Sequence, residues 1–345
     1  MLRAAAAAAD GGLSATTSRE ASSAAGGRID LQNMSSVVDY PARDMTITVQ
    51  AGMPVAELAE VLAVEKQQLP IDFSNPTTTV GALVAGNISG PRRYGYGTLR
   101  DYLIGVEAVD GQGRIFHAGG RVVKNVAGYD LCRLVVGSRG ALAVLTQLTF
   151  KLKPLSEQTA GIAFGFKSGE SADVALERLN SSQASPIILD YSHDSTKLPF
   201  TLRIAVEGNQ QARDWQLERL KNDCDGGVEV PFSPVVGQSI EEYCQDSSNH
   251  WPCGGLRIQT LPSKLIIVAQ ELAGNSFVSR GHAGNGILYV RDQNESGELK
   301  SICEDIVGRH SGNVTDWDAD HPINDKDPLS IRLREAFDPN SIFTR

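Results

Sequence analysis

Residues 119–140 read GGRVVKNVAGYDLCRLVVGSRG, and the path this stretch takes decides the fold. Val122 and Val123 give it a strand-like start. Lys124 and Asn125 then interrupt with a charge and an amide. Gly128, Tyr129 and Asp130 follow, then an apolar run, then Gly137 and Gly140 on either side of Ser138 and Arg139. An ordinary strand, turn and helix would account for this order. So would a chain bent around a large polar ligand.

The flanking segments narrow the choice. Upstream, YLIGVEAVDGQGRIFHAGG reads as two strands across the DGQG turn, a hairpin signal. Downstream, ALAVLTQLTFKLKPL reads as a strand that ends at Pro154. Further upstream, NPTTTVGALVAGNISGP (residues 75–91) leads through three threonines into a helix of small residues, Gly81, Ala82, Ala85 and Gly86, with Thr79 as its N-cap. MTITVQAG alternates Met45, Ile47 and Val49 with polar residues, as a half-buried strand does. Pro54 opens an amphipathic helix with Val55, Leu58, Val61 and Leu62 on its apolar face. Short strands are also predicted at residues 29–31, 36–40 and 67–72, the last broken by Pro70. The N-terminus reads as a short Ala-rich helix (residues 2–9) followed by a low-complexity loop (residues 11–27). Its single early Arg, with acidic Asp10 and Glu20, does not make a strong leader peptide. Residues 1–153 are predicted to form one α+β domain.

After Pro154 the texture changes. TAGIAFGFKS, PIILDY and FTLRIAVEG read as strands, and ESADVALERLNSS and ARDWQLERLKNDC as helices. This order predicts a second sheet with helices packed on one face, over residues 154–325. Residues 235–254 read as a looser connection. LRIQTLPSKL, GILYVRD and the helix ELKSICEDIVGRH continue the domain, and residues 326–345 are a terminal helix with a short docking segment.

Composition sets the functional bounds. The 345 residues carry a formal net charge of −9 with an estimated pI of about 5.2, which argues against a general nucleic-acid binder but leaves room for a local basic pocket. The five cysteines are odd in number and include no C-x-x-C pair, so they read as free thiols in a reducing, cytoplasmic setting, with no iron–sulfur or zinc site of their own. No apolar run is long enough for a membrane span. G-x-S-x-G, P-loop and H-E-x-x-H motifs are absent from the sequence. The histidines are scattered: His117 in a strand, His282 in a Gly-rich loop, His193, His250, His310 and His321 in loops or at helix ends. No metal site and no catalytic residue emerge from their spacing.

The positive signal is four glycine-rich segments, at residues 81–90, 95–97, 119–128 and 137–140. They suit either tight turns and close packing alone or a phosphate-bearing, flat aromatic cofactor. In the second reading the N–H groups at the start of the helix after Thr79 face an anion, helped by the helix dipole, and the turn Gly137–Gly140 does the same. A G-x-G-x-x-G after a strand is missing, so a nicotinamide Rossmann site is not supported.

In combination, VVKNVAGYDL, GSRGALAVLTQ, LPIDFSNPTTTVGALVAGNISGPRRYGYGTLRDY and the later GHAGNGILYV and FDPNSIF resemble the vanillyl-alcohol-oxidase/p-cresol-methylhydroxylase (PCMH-type) superfamily, and within it the E subunits of bacterial glycolate oxidases. The resemblance is strongest over residues 29–154. It implies an α+β fold: a PCMH-type FAD-binding domain of two subdomains, followed by an α+β cap. It implies noncovalent FAD, since no histidine lies in the loop before residue 29. Carried over position by position, Thr77, Thr78, Thr79, Val80 and Gly81 are implied beside the flavin and pyrophosphate. Gly86, Asn87 and Gly90 form the next approach, and Tyr94 lies in the RYG segment. Lys124, Asn125, Gly128, Tyr129 and Asp130 are the opening motif. Gly137, Ser138, Gly140 and Leu145 form the close-approach turn and strand. Tyr129 and Asp130 also fit a purely local role, joining and capping the helix that follows. His282 and Asn285 fit either a place facing the flavin from the cap or a structural role in their loop.

One departure stands out. The family carries a P-x-G-G-G-T pyrophosphate loop before the strand at residue 29, where this chain has DGGLSATTSREASSAAGGR (residues 10–28), with Gly11-Gly12 or Gly26-Gly27 as a remnant. Two functions follow. One is an FAD-bearing subunit that takes part in oxidising a small 2-hydroxy acid, glycolate or D-lactate. The resemblance gives it a D-type flavin subunit and an F-type iron–sulfur subunit as partners, in the cytoplasm and peripheral to the inner membrane through them. The other is a non-catalytic assembly subunit whose FAD site has weakened. A third, unrelated class is a flavin enzyme acting on a sugar or lactone.

Overall fold

The computed structural model describes residues 14–16, 28–73, 75–120, 130–193, 198–233, 238–247, 255–292, 297–316 and 327–343. The chain divides into two compact units. The first comprises Met1–Ser89, Gly97–Leu155 and Asp320–Arg345, and the second Gly90–Tyr96 and Ser156–Ala319. Both units mix helices and strands, as the α+β reading expects.

The first unit is built on a five-stranded antiparallel sheet in the order Val37–Asp39, Thr46–Gln50, Ala143–Lys151, Leu103–Asp110, Ile115–Gly119. The last two strands are the DGQG hairpin. Asp110 accepts hydrogen bonds from the Gln112 and Arg114 amides, both at 2.9 Å, and from Arg114 Nε at 2.7 Å, which closes that turn. Ile47, Val49, Ala108, Leu148 and Phe150 are buried in the sheet. The helix Val55–Val64 buries Val55, Leu58 and Leu62, three of the four apolar positions read from the sequence. The terminal helix Pro328–Phe337 ends against the hairpin: Gly111 N donates to Phe337 O at 2.9 Å, and Phe116 meets Phe337 edge-to-face. Asp338 caps the chain end by accepting from the Ile342 and Phe343 amides, each at 2.8 Å.

Two expectations change near the N-terminus. Ser14–Thr16, read as part of a loop, is a strand that pairs in parallel with Arg28–Asp30. The strand expected over residues 67–72 is confined to Gln67–Gln68, which pairs with Lys153–Pro154; Pro70, lacking an N–H, stops it.

The second unit is an eight-stranded antiparallel sheet. Its order is Val228–Val230, Gln158–Phe166, Phe200–Gly208, Ile188–His193, Phe277–His282, Ile287–Asp292, Leu256–Gln259, Asn313–Asp316. One face carries Phe164, Leu189, Tyr191, Leu202, Ile204, Ile258, Leu288 and Val290. The helices Gly169–Asn180, Gln210–Asp223, Leu265–Gly274 and Leu299–Arg309 cover it with Leu176, Leu220, Leu272 and Ile306. Ser168 and Asn209 cap the first two helices through their side chains. Neither the helix Leu265–Gly274 nor the strand Phe277–His282 is expected from the sequence. Residues 235–254, expected as a loose connection, contain the helix Ile240–Ser247. It packs Tyr243 and Cys244 with Ile187, Ile188 and Ala205 on the other face of the sheet.

Candidate functional site

In the first unit, the small-residue helix and the GSRG turn come together. Thr79 caps the helix Val80–Gly86, its Oγ1 accepting from Ala82 N at 3.2 Å. Val80 N donates to Met53 O at 2.8 Å and Gly81 N to Ala51 O at 2.7 Å. The first-turn amides of Val80, Gly81 and Ala82 are therefore used within the protein. The expectation that they face an anion is corrected: buried against the strand end, they fasten the helix to the sheet. Outward at this end lie Thr77, exposed, and Thr78, half-buried, with Asn75 Oδ1 accepting from the Thr77 amide and hydroxyl.

The other end of the same helix receives the GSRG turn. Gly137 N donates to Val84 O at 3.0 Å and Arg139 N to Ala85 O at 2.9 Å, satisfying carbonyls that a helix end leaves unpaired. These two amides, like that of Ser138, which donates to Val135 O, are also taken within the protein, so the turn repeats the helix start in not aiming them at an anion. Gly137 has φ 83°, and a Cβ there would lie 3.3 Å from the Cβ of Asn87, so glycine permits both the turn and the approach. Asn87 closes the helix in the left-handed conformation, next to exposed Gly86. Ser138 is buried, and its Oγ makes no hydrogen bond among the described residues. Leu145 is buried in the adjoining strand. Asp130 is exposed and caps the helix Leu131–Val135 by accepting from Arg133 N at 3.0 Å, which is the local role. Lys124, Asn125, Gly128 and Tyr129 lie outside the described residues.

Gly90 and Tyr94 fall in the second unit. The Tyr94 hydroxyl donates to Asn180 Oδ1 at 3.3 Å, and its ring packs so tightly on Gly284 that a Cβ there would sit 2.0 Å from Cε2. Burial pushes the Tyr94 phenol above its usual range.

The polar face of the eight-stranded sheet holds a second constellation. Strand alternation sends Asp190 and Ser192, Arg203, Arg280 and His282, Tyr289, and Arg257 to the side opposite the apolar core. The register aligns them in two rows. Arg203, Asp190 and His282 stand opposite one another in the first, and Ser192, Arg280, Tyr289 and Arg257 in the second. Asp190 and His282 are both buried, with His282 Nδ1 2.8 Å from Asp190 Oδ1. Tyr243, from the covering helix, donates its hydroxyl to Asp190 Oδ2 at 2.8 Å. A carboxylate between a phenol and an imidazole accepts from both, which sets the imidazole proton on Nδ1 and leaves Nε2 directed away from Asp190. Arg203 is held by Phe232 O at 2.8 Å and Ser192 Oγ at 2.5 Å.

The electrostatics of this face are set first by burial. Burial, followed by the like charge of Arg203, pushes Arg280 down to about 10, against the opposing pull of Tyr243 and Asp190. Burial also lowers Arg93, and Arg257 adds to that shift. Burial raises Tyr289, and raises Tyr243 far above the phenol range, so both remain neutral donors at neutral pH. His282, expected in a loop, ends a strand; the glycines around it concealed the strand pattern. Asn285 follows in the turn Ala283–Asn285, its Oδ1 buried without a hydrogen bond among the described residues. His117 is in a strand as expected, exposed, 3.7 Å from Glu107.

A family model described as FAD binding domain matches residues 7–119. Glycolate oxidase subunit GlcD of Bacillus subtilis (strain 168) is 33% identical over 374 aligned residues, covering 92% of this chain and 78% of that subunit. The chain belongs to the FAD-linked oxidoreductases of the PCMH-type superfamily. Glycolate oxidase subunit GlcE of Escherichia coli (strain K12) is 37% identical over 131 residues, 37% of each chain, so the match spans little more than a third of that relative. A solved structure of alkyldihydroxyacetonephosphate synthase shares the fold with a TM-score of 0.70 at 17% identity, covering 96% of this chain and 71% of its own.

The cofactor of this FAD-linked oxidoreductase is FAD. In the first unit the residues present fit this group at Ser138, whose buried hydroxyl has no hydrogen-bond partner among the described residues and lies in a turn shaped by glycine. Among the described residues no group of three or more His, Cys, Asp or Glu side chains is placed to hold a metal ion, and no helix is long and apolar enough to cross a membrane. Cys132, Cys224, Cys244 and Cys303 are buried thiols outside any disulfide among the described residues. Burial first, then neighbouring carboxylates, pushes the Cys132 thiol up to about 11 and Cys224 and Cys303 up to about 12.

Proposed function

We propose that this chain is the FAD-binding subunit of a glycolate oxidase-like complex, taking part in the oxidation of a 2-hydroxy acid, glycolate or D-lactate, and passing electrons to a partner. The observation that carries the reading is the 33% identity with a glycolate oxidase D subunit across both units of the chain. FAD supplies a hydride acceptor when bound. Thr77, Thr78, Asn87, Gly137, Ser138, Gly140 and, from the opening motif, Lys124, Asn125, Gly128 and Tyr129 are the residues assigned to holding it. Ser138 offers the buried hydroxyl, and the glycines permit close backbone approach. The partners are a D-type flavin subunit and an F-type iron–sulfur subunit, in the cytoplasm and attached to the inner membrane only through them.

The test is the visible spectrum of the purified full chain, before and after adding FAD. Bound-flavin absorbance is expected. Failure to bind at micromolar FAD overturns the reading in favour of a non-catalytic assembly subunit, which the missing P-x-G-G-G-T loop favours. Anaerobic bleaching by glycolate or D-lactate, with and without the partner chains, then locates the oxidation.

A further inference from the structure

We infer that the open edge of the strand Gln158–Phe166 takes one further strand, an extended segment of a partner polypeptide that carries lysine or arginine. Such docking needs no FAD and goes beyond the flavin-subunit reading, since it assigns an interaction surface to the second unit.

The edge is left open by a proline. Val228–Val230 pairs only with Gly165, Phe164 and Ala163. Continued in register, the chain would set Pro231 opposite Ile162 and Phe232 opposite Gly161. Pro231 has no N–H to extend the ladder. Phe232 is held elsewhere. Its carbonyl accepts from Arg203 Nε at 2.8 Å, its ring stands edge-to-face with Tyr243 at 5.0 Å, and a Cβ on Gly161 would lie 2.5 Å from its Cδ2. The chain therefore turns off the edge at this point. Among the described residues nothing pairs with residues 158–161 on this side, while Phe200–Gly208 pairs with the whole strand on the other. Burial follows the same division. Residues 162–166 are buried, whereas Gln158 is exposed and Thr159, Ala160 and Gly161 are half-buried.

What the edge faces sets the chemistry of the partner. It opens on a cavity of about 610 Å³ lined by residues 156–161, Phe232, Ile240 and Glu241. In an antiparallel ladder a residue turns its N–H and C=O to the same side, and alternate residues turn to opposite sides. The open stretch thus offers main-chain donors and acceptors over roughly 13 Å, room for about four residues of an added strand. An unpaired edge is a template for such pairing, and strand addition takes its affinity from these bonds. Phe232 and Ile240 supply apolar contact. The charge is one-sided: Glu157 and Glu241 are exposed carboxylates, and no Lys, Arg or His lines the cavity among the described residues. Arg213, which donates to Gln158 Oε1, is met by Asp214. The first turn of the helix Ile240–Ser247 is not open to an anion either. Ser239 N donates to Glu242 Oε2 at 2.7 Å and Glu242 N to Ser239 Oγ at 3.1 Å, so the two cap each other. A cationic side chain on the added strand is the complement. A second copy is disfavoured, because its edge would bring the same carboxylates.

The edge is tested by fluorescence anisotropy of the full chain with a labelled synthetic peptide, Thr-Lys-Val-Lys-Val-Thr, and its acidic counterpart, Thr-Glu-Val-Glu-Val-Thr. The basic peptide is expected to bind at least about tenfold more tightly. N-methylation of its alternate amides separates a ladder from charge attraction alone. Methyl groups on one alternate set should abolish binding, and on the other set leave it within about twofold, because only one set faces the edge. Glu157→Lys combined with Glu241→Lys should weaken the basic peptide at least about tenfold and admit the acidic one. Both positions are exposed, and thermal unfolding checks that the double variant keeps its fold. Failure of the basic peptide to bind at millimolar concentration overturns the inference. So does equal affinity of the two methylated peptides, or wild-type affinity in the double variant. Sedimentation of the full chain as a dimer that the double variant dissociates also overturns it, and would make the occupant a second copy.

Discussion

The two sheets use their residues in opposite ways. The five-stranded sheet of the first unit buries Ile47, Val49, Leu148 and Phe150, and its candidate cofactor residues sit in turns beyond the strand ends: Thr77, Asn87, Gly137, Ser138. Several are valuable for what they lack, since a small residue lets backbone approach backbone. The eight-stranded sheet of the second unit buries one face in a core of aliphatic side chains and arms the other with Asp190, Arg203, Arg257, Arg280, His282 and Tyr289. There the strands fix long side chains in rows. A turn can mould itself to a cofactor, while a strand register can set distances between charged groups.

The contrast breaks most sharply at Asp190. Asp190→Ala leaves the Tyr243 hydroxyl and the His282 imidazole without their shared acceptor in a buried setting, and should destabilise the second unit by about 3–5 kcal/mol. Urea denaturation of the variant checks this. A loss under about 1 kcal/mol would mean that water substitutes for the carboxylate and that the rows are less rigid than the register implies.

On the turn side, Gly137→Ala puts a side chain at φ 83° and 3.3 Å from Asn87. The expected cost is about 1–2 kcal/mol of stability, with weaker FAD binding. Unchanged flavin absorbance and an unchanged melting curve would remove the GSRG turn from the cofactor wall.

The smallest effect is a pH dependence in the hairpin turn. Burial raises the Asp110 carboxyl, but hydrogen bonds from Arg114 and Gln112 and the charge of Arg114 outweigh it and hold the group below the usual carboxylate range. Its folded-state value is thus depressed. The stabilisation is present above the unfolded value of about 3.9 and is lost as pH falls below it. Wild type should lose stability more steeply than Asp110→Asn between about pH 4 and pH 2. Parallel curves in acid denaturation would show that the turn is held by backbone geometry alone.

Much of this was legible in the order of residues. The alternation in FTLRIAVEG and PIILDY marked strands, Thr79 and Asp130 marked helix starts, and DGQG marked a hairpin, because each signal is local and set by backbone chemistry. The same locality let the VVKNVAGYDL and GSRG motifs identify the family. Period-two alternation also fixes the faces of Asp190 in PIILDY and Arg203 in FTLRIAVEG, whereas glycines hid the strand that carries Arg280 and His282. Alternation cannot say who stands opposite. Asp190 and His282 are 92 residues apart in the chain, and Tyr243 rides on a helix in a stretch that reads as a connection. Only strand order and register bring them within hydrogen-bonding distance. The helix-start amides make the same point: sequence offered them to an anion, and packing against Met53 and Ala51 gave them to the sheet. Local chemistry chooses elements and faces, whereas contacts between distant residues depend on how whole layers pack.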